Sequence, residues 1–154
     1  MKKNNSILLL DLTQGAMIAA LYVVLTFIAN LAGLASGVIQ LRLSEALTIL
    51  PIFTAAAVPG LAVGCVLANL LTGCAVWDVV FGSLATLIGA IGTRLLRKKS
   101  PVLAVLPPIL ANVIIVPLVL QRVYGVSDAY WYLAMTVGAG EIISCGILGL
   151  LLYS

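Results

Sequence analysis

A carboxylate near the middle of an apolar segment is the sharpest chemical signal in this sequence. Glu141 stands deep within the uncharged run 129–153, where an acid costs roughly 2.5–3.5 kcal/mol even on the mild insertion scale. Something must compensate it: a proton and a bond to a neighbouring helix, or a ligand. Gly138, Ser144 and Cys145 fall at i−3, i+3 and i+4, on the same face of a helix, and Gly138 would leave room beside the carboxylate. Asn112 lies at similar depth in the preceding apolar run, and Asn69 lies nearer an end of an earlier one. Buried amides serve as helix glue as readily as they bind ligands. Glu45 and Asp78 open helices, which capping and the helix dipole alone would explain. Gln40 and Arg42 alternate with Ile39, Leu41 and Leu43, the pattern of an extended segment with one polar side. Trp77, Tyr124, Tyr130, Trp131 and Tyr132 suit an interfacial aromatic belt, from which one or two rings, Trp77 and Trp131 foremost, could stack on a flat ligand. Together these residues describe a pocket open to one side, acidic at Glu45, Asp78 and Glu141, and suited to cations and hydrogen-bond donors.

The elements that must hold these residues are membrane helices. Of 154 residues, 63% are hydrophobic and 8% charged, against about 25% charged in a soluble domain. The expected architecture is all-α: a single transmembrane domain, 1–154, of six helices at about 12–34, 44–57, 59–71, 78–96, 101–121 and 129–153. Asp11 marks the start of the first, and Lys2 and Lys3 precede a retained helix rather than a cleaved signal. Gly15/Ala19 and Ala16/Ala20 give it small-xxx-small spacings for close helix approach, within the chain or to a partner. A polar connection, Ser36 to Glu45, follows. The long apolar run after it should break at Val58-Pro59-Gly60, with a bend near Pro51, leaving two helices too short for a full crossing, a pattern that lines sites in transporters. Pro107, Pro108 and Pro117 should kink the fifth helix. Six crossings put both termini on one side. Lys2, Lys3, Arg94, Arg97, Lys98 and Lys99 fall on that side, and Arg42 and Arg122 on the other, so the termini are expected in the cytoplasm of a bacterial cell membrane.

Several classes are disfavoured. The basic residues form two short clusters that suit lipid headgroups better than nucleic acid. There is no histidine, and the three cysteines, Cys65, Cys74 and Cys145, have no CxxC spacing, so no metal site or cofactor is expected and the thiols read as small apolar side chains. An intramembrane enzyme using Asp78 and Glu141 as an acid pair would lack a GxSxG string or metal cluster. A small oligomeric channel would show a polar stripe along one helix, whereas here polar residues come singly from different helices.

The stretches Gly37 to Pro51, Ala68-Asn69-Leu70-Leu71, Trp77 to Leu87 and Gly140-Glu141 resemble the QueT family, with the strings Q-x-R-x-S-E-A-L and D-x-x-F-G-S-x-A-T-L as its most specific marks. The resemblance covers nearly the whole chain and is looser in the fifth helix. It implies a six-helix S component of an energy-coupling factor (ECF) importer, thought to carry queuosine precursors. Such a subunit has no ATPase of its own and works with a transmembrane coupling (T) subunit and two ATP-binding subunits; consistently, no GxxxxGK[ST] loop occurs. For a 7-deazaguanine such as preQ1, Glu141 would take the guanine edge and Glu45 or Asp78 the amine. Gln40, Arg42, Asn69 and Asn112 would supply amide and guanidinium groups, and Ala16 and Ala20 would dock on the coupling subunit. Another small purine-like or cationic nutrient is the nearest alternative substrate.

Overall fold

The computed structural model describes the backbone of residues 2–34 and 39–154, and side chains from residue 6 onward within those ranges. The charges expected from Lys2 and Lys3, and the beginning of the polar connection at Ser36 to Val38, lie outside the described side chains. The described residues fold as helices only: α1 (Lys2–Leu31), a 3₁₀ helix (Leu43–Ile52), α2 (Ala57–Leu71), α3 (Val76–Leu96), α4 (Pro101–Ala104), α5 (Leu106–Arg122), α6 (Tyr130–Glu141), a π-helical stretch (Ile142–Leu148) and α7 (Gly149–Tyr153).

Among the described residues, four helical spans, Ser6–Leu31, Val76–Leu96, Pro101–Arg122 and Tyr130–Tyr153, are long and apolar enough to cross a membrane. Two apolar helices are shorter: the 15 residues of α2 reach about 22 Å at 1.5 Å per residue, and the 10 residues of the 3₁₀ helix about 20 Å at 2.0 Å per residue. The exterior is apolar, with Leu8, Leu95 and Leu151 at 68%, 77% and 65% exposure, as befits side chains facing lipid rather than water. The chain is a multi-pass membrane protein.

Three boundaries differ from expectation. Helix α1 begins at Lys2 rather than Leu12, because nothing between Ser6 and Asp11 stops a helix; Asp11 is an exposed interior residue. The break in the long apolar run falls at Phe53–Ala56, not at Val58-Pro59-Gly60. Pro59 sits in the first turn of α2, where a missing N–H leaves no bond unmade. The third concerns Pro107 and Pro108, which do not kink a continuous helix but occupy the first turn of α5 after a break at Val105. Pro117 alone lies inside that helix.

Close packing uses one of the two small-residue spacings of α1. A side chain at Gly60 would lie 2.7 Å from the Gly15 carbonyl oxygen, and one at Gly64 3.0 Å from the Ala19 Cα. Gly15 and Ala19 therefore face α2, whereas Ala16 and Ala20 are exposed on an adjoining face. At one end of the bundle Arg94 donates to the carbonyls of Pro51 (3.0 Å) and Ile52 (3.3 Å), closing the last turn of the 3₁₀ helix. Phe53 stacks on Tyr153 at the same end, with ring centroids 5.5 Å apart. Gly60→Ala should force α1 and α2 apart and cost about 1–3 kcal/mol, read as a lower thermal midpoint of the solubilised protein, while Ala16→Ser on the exposed face should leave it unchanged.

Candidate functional site

At the end opposite Arg94 a cavity of about 530 Å³ opens between α1, α2, α3, α5 and the segment preceding the 3₁₀ helix. Gln40, Arg42, Asn69 and Asp78 line it, with Tyr22, Thr26, Tyr124 and the aliphatic Val116 and Leu120. The extended segment is held close to α6, because a side chain at Gly140 would collide with the Gln40 carbonyl. Asp78 is not a helix cap: its Oδ2 accepts the Tyr124 hydroxyl at 3.2 Å, and that hydroxyl accepts the Ala75 N–H in turn. Burial raises the Tyr124 pKa above its ordinary value, so the phenol remains a donor. Burial works against the Arg42 charge, but Tyr22, Asp78, Glu45 and Glu141 around it more than offset this and hold the guanidinium above its ordinary pKa.

Beneath the cavity lies a buried polar cluster. Glu45 and Glu141 are 0% and 4% exposed, and their carboxylates and the Cys145 sulfur lie within 4.8 Å of one another. The 3₁₀ geometry stacks residues i and i+3, which brings Thr48 over Glu45, its hydroxyl donating to the Glu45 carbonyl at 2.6 Å. The Tyr22 hydroxyl donates to Glu45 Oε1, and Thr86 approaches the same oxygen at 3.5 Å. Cys145 donates to Glu141 Oε2 at 3.1 Å from the π-helical stretch that begins beside Glu141, a local geometry frequent at functional sites. Five buried atoms have no hydrogen-bond partner among the described residues: Glu45 Oε2, both amide atoms of Asn112, Ser83 Oγ and Ser144 Oγ. Asn112 stands beside both carboxylates without a bond of acceptable geometry to either. An unmet buried polar group costs about 1–3 kcal/mol, and Glu45 Oε2 and the Asn112 amide carry that cost side by side.

The expected site is thus gathered in two tiers, with Gln40, Arg42, Asn69 and Asp78 above and Glu45, Asn112 and Glu141 below. Trp77 and Trp131 are not brought to it. They are 59% and 65% exposed on the bundle exterior, Trp77 stacked on Phe81 and Trp131 edge-on to Tyr132, as belt residues are. Gly138 does not open room beside Glu141, since a side chain there would meet Val113 at 3.3 Å. The thiols are more than apolar filler: Cys145 bonds Glu141, and Cys65 accepts from Asn69 at 3.6 Å and Thr86 at 3.5 Å. Tyr22 and Thr86 were not singled out by sequence, although a lone tyrosine in an apolar helix, whose hydroxyl needs a partner, was the available signal. Glu45, Glu141 and Cys145 also form a set that a cation could use, but the thiol here acts as a donor to Glu141.

The fold is thus a helical membrane bundle with a polar cavity above a cluster of buried polar groups. The sequence model of the QueT transporter family matches residues 12–154, and the chain belongs to that family. It is similar to the queuosine precursor transporter QueT of Lactococcus lactis subsp. cremoris, with 37% identity over 78 residues, a match that takes in 51% of this chain and only 46% of that relative. No solved structure matches. Both the family and this relative are named as transporters.

If Asn112 is kept for a guest, Asn112→Leu removes two unmet polar atoms at nearly constant volume, and should leave the ligand-free protein equally stable or raise its stability by about 1 kcal/mol. Thermal denaturation of the solubilised protein reads this directly; a comparable loss would mark the amide as helix glue.

Proposed function

We propose that this chain is the substrate-binding S component of an ECF-type importer and captures a queuosine precursor, a 7-deazaguanine such as preQ1, from outside the cell. The observation that carries this reading is the set of unpartnered acceptors, Glu45 Oε2 and Asn112 Oδ1, buried beside Glu141 under a polar cavity. A guanine edge brings N1–H and N2–H₂ as parallel donors beside an O6 acceptor, and paired donors match a carboxylate. Glu141 and Glu45 take that edge, and the Asn112 Nδ2 donates to O6. Glu45 sits with Glu141 in the lower tier, which leaves Asp78, in the open cavity, as the acid for a cationic aminomethyl group. Gln40, Arg42 and Asn69 close around the ring from the cavity wall. The name of the Lactococcus relative agrees with this substrate class.

The orientation follows from charge. Six crossings, counting the two short helices, place Arg94, Arg97, Lys98 and Lys99 and both termini in the cytoplasm, and the cavity faces outward. Energy enters through partners: a transmembrane coupling subunit and two ATP-binding subunits. The exposed Ala16 and Ala20 face supplies the docking surface, since Gly15 and Ala19 are already used against α2.

Glu141→Gln sets a donor against a ligand donor and should weaken preQ1 binding by about 2–5 kcal/mol; undiminished affinity in a titration of folded protein would remove Glu141 from the site. In the same titration guanine and other purines report whether the 7-aminomethyl group is selected. Enlarging Ala16 and Ala20 to Leu should abolish assembly with the coupling subunit and ATP-dependent uptake while preQ1 binding persists. Uptake that survives both changes places docking on another face.

A further inference from the structure

Tyr22 stands between the open cavity and the buried polar cluster of Glu45, Asn112 and Glu141. Its side chain lines the cavity, yet its hydroxyl reaches through to Glu45 Oε1. The same helices continue from one to the other. On α5, Val116 and Leu120 line the cavity and Asn112 lies one turn below them. On α3, Asp78 lines it and Thr86 lies two turns below; on α2, Asn69 lines it and Cys65 lies one turn below. The polar surface therefore does not end at Tyr22 but runs on behind it to Glu45 Oε2 and the two free amide atoms of Asn112. A solute resting in the cavity meets Tyr22 before Glu45, and any N–H it brings competes with the phenol for the same carboxylate. The base of the side chain is fixed, because a side chain at Gly64 would come within 2.8 Å of the Tyr22 Cβ. Movement is left to the ring and hydroxyl.

We propose that Tyr22 is a gate: its bond to Glu45 closes off the buried polar cluster, and a planar ligand with a paired N–H edge reaches it only when that bond breaks. The described arrangement is the closed state. The gate rests on the functional reading above for its ligand class. It makes opening a cost paid before binding, so the apparent affinity is the intrinsic one reduced by the open fraction.

The test is the kinetics of 7-aminomethyl-7-deazaguanine binding to the full-length solubilised protein. Tyr22→Phe keeps the ring and deletes the bond, so the association rate should rise about tenfold while dissociation changes by less than about twofold. An unchanged association rate overturns the gate. Faster dissociation with unchanged association also overturns it, and makes Tyr22 a contact to bound ligand instead. Should that variant fold poorly, Glu45→Gln weakens the same bond from the other side: association should again quicken even as equilibrium affinity falls, and wild-type association there would equally overturn the proposal. Wild-type protein that binds no deazaguanine at all refutes the functional reading and this gate with it, whereas wild-type binding without acceleration in the variants refutes the gate alone.

Discussion

Inside an apolar bundle no water stands ready to satisfy a polar atom, so each one must find its partner in the chain or in a guest. The two carboxylates of Glu45 and Glu141 impose this constraint most severely, and much of the fold answers it. Tyr22 and Thr86 reach Glu45 from α1 and α3, and Cys145 reaches Glu141 from the π-helical stretch. What they do not answer is as informative. Glu45 Oε2 and both amide atoms of Asn112 remain unmet, and they lie together rather than scattered through the core.

Irregular backbone appears where it serves this cluster. A 3₁₀ helix of 10 residues is unusually long, and it sets Ser44, Glu45 and Thr48 all within the bundle interior. The π-helical stretch Ile142–Leu148 does the same beside Glu141, turning Ser144 and Cys145 inward. Both are short of the regular α-helix that an apolar sequence would otherwise adopt, and local departures of this kind are common where a site must be shaped. Close glycine packing on the α1–α2 side leaves the other small-residue face of α1 free. One helix thereby holds the fold on one face and leaves Ala16 and Ala20 exposed on another.

The helical, membrane-spanning class was legible from composition, and the polar residues that the structure clusters were legible because each is rare in its surroundings. Glu141, Glu45, Asn112, Asp78, Asn69, Gln40 and Arg42 stand out against uncharged runs, and the structure gathers them in two adjoining tiers. Helix boundaries were less legible: a proline marks where an N–H is missing but not whether it begins a helix, as Pro59 and Pro107 do, or interrupts one, as Pro117 does. The tryptophans misled because an aromatic side chain suits a lipid interface as well as a ring-stacking site. Tyr22 was hidden for the opposite reason, as one aromatic residue among many apolar ones, distinguished only by a hydroxyl whose partner lies 23 positions away in sequence.

The central claim is that the unmet acceptors beneath the cavity exist for a flat, donor-edged heterocycle. Native mass spectrometry of the protein, extracted mildly from its own membrane and then denatured to release what it carries, tests this most directly. The account predicts a released small molecule with the mass of a 7-deazaguanine, present in the wild type and lost from a variant in which Glu45, Asn112 and Glu141 are all replaced. Release of an acidic or wholly apolar molecule in its place, retained by that variant, would contradict it.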